Sequence, residues 1–294
     1  MEFDLLAIRT SITLALLSLI LIFATAPDAS AVTIVVNFVG GAPAANAAGG
    51  GDLTAIVDAA ARIWESIYSD DSSLVLYVGW APIGPAGTHT LIEQGGDPNR
   101  ETVGLILFDN SGSVSFYLDP TPDSDDEYHL LTEQFQDLGG GPVNVARLLT
   151  QPTGAAVGRT DLLTAALHEI GHALGLAVTN TSFAADSRDG VIRIADGLPY
   201  SGTVIPLAAN YSGITTHIDA ERVTYGSLMA GLSSDERRLP SDLDILADAQ
   251  ISRLSIRRAE VSETPPSLPA PSSGTAPVKA AASITAFHGL HRVN

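Results

Sequence analysis

"DLLTAALHEIGHALGLAVTN", Asp161 to Asn180, decides how the rest of the chain is read. Leu163, Ala166, Leu167, Ile170 and Leu174 recur at helical spacing and give the stretch one apolar flank. Asp161 is a suitable N-cap for a helix that begins at Leu162, and Gly175 is the residue type that most cheaply ends one. On such a helix His168 and His172 stand one turn apart on the same side, so both imidazoles can reach one metal ion. Glu169 is rotated away from that pair. It is therefore placed to take a proton from a water at the metal rather than to bind the metal, which is what a general base requires. A catalytic zinc takes three protein ligands, so the segment leaves one to be found elsewhere.

Working outward, the composition narrows the possible partners. The 294 residues carry 15 Lys and Arg against 33 Asp and Glu, a formal charge of −18. Such an acidic excess argues against nucleic acid or an anionic membrane as partner, and favours solubility. There is no cysteine, so no disulfide framework exists, and stability must come from a core or a bound metal. With 45% hydrophobic residues a core is available. Ile12 to Ala24 is an apolar run too short to span a bilayer, and "ASA" at Ala29–Ala31 has the small-x-small pattern of a cleavage site. Residues 1–31 thus read as a secretory signal peptide, which places the mature protein outside the cytoplasm. No other segment is long and apolar enough to span a membrane. Residues 32–258 read as one globular catalytic unit, expected to be monomeric. Residues 259–294, rich in Pro, Ser and Ala, read as a disordered tail or linker.

Within the globular unit the fold class is α+β. "VTIVVNFVG" from Val32 reads as a buried strand, and "GDLTAIVDAAARIWESIYSD" from Gly51 as an amphipathic helix capped by Asp52. "SLVLYVGWAPI" and "TVGLILFDN" read as strands, and "SVSFYLDP", Ser113–Pro120, alternates weakly. These imply a mixed sheet backed by helices. Residues 121–160 read mostly as loop. Asp123, Asp125, Asp126 and Glu127 lie there and form either a solvated acidic loop or a weak Ca2+ site, with Tyr128 where an EF-hand loop needs glycine. Asp189-Gly190 and Asp196-Gly197 bracket "VIRIA", as in a small hairpin.

"DLLTAALHEIGHALGL" resembles the active-site helix of the metzincin zinc endopeptidases, above all the secreted bacterial matrixin-like ones. "YGSLMAGLSSDERRLPSDLDILADAQ", from Tyr225, resembles the methionine turn and closing helix of the same family, with Met229 as the turn methionine and Ser241 capping the helix. The resemblance implies a twisted mixed sheet backed by helices, an active-site helix below a cleft, and a small C-terminal subdomain. It also implies Zn2+ as cofactor and an extended protein or peptide substrate bound along an edge strand, for which Ser113–Pro120 is the candidate. The family's long motif places a third histidine three residues past the glycine, where this chain has Val178.

Of seven histidines, His217 alone lies between the helix and Met229, and some bacterial matrixin-like proteins carry an insertion followed by a histidine at this place. His217 is therefore the expected third ligand, and the residues between become an excursion that shapes the cleft. Glu221 is the alternative, as in sites of two histidines and one glutamate, while Asp186, Asp189, Asp196 and Asp219 are less suited. His89 and His129 fall in stretches read as loops. The chemistry implied is hydrolysis of peptide bonds with Glu169 as base. An exported zinc-binding or adhesion module of the same fold without turnover is the rival reading.

Overall fold

A computed structural model describes residues 31–210, 213–223 and 226–257. All but Ala31 of the signal-peptide reading, and all of the tail reading, lie outside them. The fold is α+β.

Its largest sheet is built from β1 (Val32–Gly40), β2 (Ser72–Ala81), β3 (Gly87–Gly95) and β4 (Arg100–Asp109), in the order β1-β2-β4-β3. β1, β2 and β4 run parallel, and β3 runs antiparallel to β4 at the margin. Between β1 and β2 the chain forms α1 (Leu53–Ile67), whose cap Asp52 accepts from the Ala55 amide. α1 buries Ile56, Val57, Ala60 and Trp64 against the sheet and the helix that carries His168 and His172. The Trp64 indole N–H donates to the Leu167 carbonyl at 3.0 Å, which fixes how the two helices meet.

After β4 the sequence expectations fail in part. Residues 121–160 are not mainly loop. β6 (Tyr128–Asp137) and β7 (Pro142–Pro152) form a long antiparallel hairpin that turns through the Gly139–Gly141 triplet. β6 escapes sequence reading because its outer side stays in water. Leu130 and Leu131 are both exposed, so the alternation that marks a half-buried strand is absent. His129 sits on this strand and His89 on β3, not in loops. Ser113–Pro120 contains only the two-residue β5 (Phe116–Tyr117). It is buried and pairs with β8 (Thr160–Asp161), while Tyr117 also bridges to Ala48 on its other side, so it offers no open edge.

β8 leads directly into α2 (Leu162–Leu174), every residue of which is buried. The short α3 (Thr181–Asp186) follows. β9 (Val191–Arg193), β10 (Val204–Asn210) and β11 (Gly213–Ile218) then make a three-stranded antiparallel sheet, so "VIRIA" contributes one strand of a meander. A 3-10 turn at Leu228–Ala230, β12 (Arg237–Leu239) paired with β7, and α4 (Asp242–Ser252) complete the unit. None of the described helices is long and apolar enough to cross a membrane.

Candidate metal centre

α2 positions the first two histidines. Its N-terminus is capped by Asp161, whose Oδ2 accepts from the Thr164 amide at 3.0 Å and hydroxyl at 2.8 Å. Each histidine is then oriented by a backbone carbonyl. His168 Nδ1 lies 2.8 Å from Leu228 O, and His172 Nδ1 lies 2.7 Å from Leu176 O. A carbonyl only accepts, so both Nδ1 atoms carry the proton and both Nε2 lone pairs face the same space.

The third member arrives on β11. His217 Nε2 is 3.2 Å from His168 Nε2, which is 3.1 Å from His172 Nε2. The three histidines form the one group of three or more potential ligands among the described residues. Glu221 lies outside it and is exposed, with its amide donating to Asp219. Asp186 is taken up with Gln250 and Arg253, and Asp189 with Arg193. Two of the aspartates of the 121–160 segment are engaged too, since Asp123 meets Arg62 and Asp125 meets Arg237.

The donor set fits a tetrahedral cation. Nitrogens at 2.0–2.1 Å from a tetrahedral ion stand about 3.3 Å apart, close to the two spacings found. Such an approach of lone pairs is repulsive unless a positive centre lies among them. Burial holds the imidazoles neutral, as donors must be. It pulls His168 down to about 3 with help from His217, takes His172 well below its ordinary value, and lowers His217. Glu169 is also buried, and burial alone pushes its carboxyl up to about 8.

Met229, fully buried, packs against α2 at Gly171. A Cβ added to Gly171 would stand 2.6 Å from Met229 Sδ, so glycine is needed there for the turn to reach the helix. Asp244 holds the turn, accepting from the Ser227 hydroxyl at 2.6 Å and from the Met229 and Leu228 amides at 3.0 and 3.2 Å. The same carboxylate closes a capping box with Ser241 at the start of α4. Arg238 clips the turn from outside through the Ser227 and Gly231 carbonyls. At the far end of α2, Gly175 has φ 173°, an extended value open to any residue. Its role is packing, because a Cβ there would come within 3.2 Å of Asp248 Oδ1 and Ser252 Oγ.

A cleft of about 700 Å³ opens over the histidines, lined by β3, α2 and the residues after it, including the exposed Val178. β3 is the strand that borders it, in place of the expected Ser113–Pro120. It brings in His89, whose Nε2 lies 2.8 Å from Glu101 Oε1 and whose ring stacks on His172 with centroids 6.4 Å apart. Both side chains are almost wholly buried. An added Cβ at Gly104 would overlap Glu101 Oε1, so glycine at this place in β4 makes room for this carboxylate. Sequence reading missed the pair. The available signal was a glutamate and a glycine at Glu101 and Gly104 in a strand otherwise built to be buried. Comparison of the chain with protein-family models, with curated proteins and with solved structures gives no match.

Proposed function

We propose that the chain is an exported metal-dependent endopeptidase of the metzincin type, acting as a monomer on extended protein or peptide substrates. One observation carries the reading. Three imidazoles converge on the floor of an open cleft with two of their nitrogen spacings, 3.2 and 3.1 Å, near the tetrahedral value, and the glutamate next to the first of them faces the same cleft.

His168, His172 and His217 would hold the ion, with zinc the choice their nitrogen donors favour. The chemistry that such an ion supplies is polarisation of the scissile carbonyl and a lowered pKa for a water, towards ~7. Glu169 takes the water's proton on its carboxylate and returns it to the leaving amine. Its apolar surroundings favour the protonated form, and a dication close by favours the ionised one, so the carboxyl is poised between accepting and giving. Along residues 87–91, where it lines the cleft, β3 has a strand partner on one side only among the described residues, which leaves a row of backbone groups for an extended peptide to pair with. Because that part of β3 and the histidines line one cleft, a peptide paired there would run past them.

The test combines metal titration with cleavage of casein. Glu169→Gln is expected to bind zinc as the unaltered protein does and to cleave nothing. His217→Ala is expected to lose stoichiometric zinc, and Glu221→Ala to keep it. A protein that binds zinc and cleaves no substrate would instead be the binding or adhesion module.

A further inference from the structure

Gly87 is the first residue of β3, and nothing in its backbone asks for glycine, since its φ lies outside the left-handed range. What singles it out is its neighbour. A Cβ built on Gly87 would stand 2.5 Å from Glu169 Oε1, 2.8 Å from its Cγ and 2.9 Å from its Cδ. The bare backbone of β3 is the wall against which the carboxylate of α2 rests. Neighbouring positions and the far end of the strand have no such constraint. Ala86 and Thr88 on either side carry side chains, and a Cβ on Gly95 at the far end would meet nothing within 4 Å.

We infer that Gly87 is a positioning residue for Glu169: the missing side chain sets where the base sits relative to the three histidines. The inference rests on the reading of Glu169 as the base. Any substitution with a Cβ must displace something, and the mobile partner is the glutamate side chain rather than the strand. Bringing Oε1 from 2.5 Å to ordinary contact at 3.4 Å moves it by roughly 0.9 Å. The histidines keep their own carbonyl partners, Leu228 and Leu176, and are untouched. The protein therefore folds and binds metal, with its base out of place. A misplacement of about 1 Å in a catalytic group costs on the order of 100-fold in rate.

The experiment uses Gly87→Ala, with Gly95→Ala on the same strand as control. Zinc content and thermal midpoint are measured first, then kcat and KM on a quenched-fluorescent casein substrate. Gly87→Ala is expected to keep stoichiometric zinc and a near-normal KM while kcat falls on the order of 100-fold, and Gly95→Ala is expected to match the unaltered protein. A crystal structure of metal-free Gly87→Ala gives a second readout that needs no turnover, with the Glu169 carboxylate displaced and the three imidazoles in place. A normal kcat in Gly87→Ala, or a Glu169 carboxylate that superposes on its present position, overturns the inference. If the unaltered protein cleaves nothing, the endopeptidase reading fails, and the crystal structure still decides whether Gly87 places Glu169.

Discussion

Replacing Arg237 by methionine removes a buried cation that holds the start of α2. Its guanidinium is wholly buried, and all five of its N–H groups have acceptors. Nε donates to Asp161 Oδ2 at 2.9 Å and Nη2 to Asp161 Oδ1 at 3.0 Å, a bidentate pair. Nη2 also reaches Asp119 Oδ2 at 2.5 Å, and Nη1 reaches Ser124 O and Asp125 Oδ1, each at 2.9 Å. The Tyr128 ring covers the group, 5.0 Å from its carbon. Asp119 and Asp161 are as buried as the arginine, so methionine would leave two carboxylates without a counter-charge. Breaking a buried pair in this way costs about 3–5 kcal/mol. At 2–4 °C per kcal/mol for a domain of this size, the melting midpoint should fall by roughly 10 °C. The assay is calorimetry on metal-free protein at neutral pH, so that metal binding does not mask the loss. A second variant separates charge from packing. Adding Asp119→Asn and Asp161→Asn to Arg237→Met removes the orphaned charges, while asparagine at 161 still caps the helix. That triple variant should recover much of the loss. A drop below about 1 kcal/mol for Arg237→Met alone, or a triple variant no more stable than the single one, would refute the reasoning.

Two further substitutions test the surroundings of the histidines. His89→Ala should weaken zinc binding on the order of ten-fold in a chelator competition, because it strips the wall beside His172 and strands Glu101 in the core; unchanged affinity would count against that support. Asp248 lies on α4 with neither carboxylate oxygen hydrogen-bonded within the described residues, and burial first, then Asp244, raises its pKa well above the ordinary value. A raised carboxyl favours folding while protonated and loses that advantage as pH climbs from ~3.9 towards the folded-state value, at about 1.4 kcal/mol per pH unit. Asp248→Asn should thus raise the melting midpoint at pH 7 and leave it unchanged near pH 3.5, and a melting midpoint that responds equally at both would sink the assignment.

What could be read from the sequence was what local chemistry writes down. α2 announces itself because its apolar spacing, its Asp161 cap and its His168–His172 step all lie within one short stretch, and the Ser241–Asp244 capping box does the same for α4. β3 and β6 did not. Each is a marginal strand, half in water, and "GTHTLIEQG" and "YHLLTEQFQD" alternate too weakly to mark a face. The Arg237 cluster was hidden for another reason. Its members come from 119, 125, 161 and 237, and no periodicity reports a charge that is buried only because distant charges meet it. Gly175 shows the limit of residue-type reasoning, since it ends the helix as expected but is glycine for the sake of α4.

The histidine group draws on two stretches that share no local structure, and the supports explain how they stay in register. α2 is fixed at its start by Arg237, against α1 by the Trp64 bond to Leu167, and at its end by α4 packed on Gly175. Asp244 ties the methionine turn to α4, and the Leu228 carbonyl of that turn orients His168 in return. His217 has no comparable anchor at its ring. It is half-buried on β11, and the sole ring-nitrogen contact it makes within the described residues is with His168. A cation would therefore meet two ligands already held and one brought by a separate sheet. In a chain without cysteine, buried carboxylate–arginine links supply the cross-connections that disulfides supply elsewhere. The ion would add a tie between α2 and the excursion that carries His217 back to it.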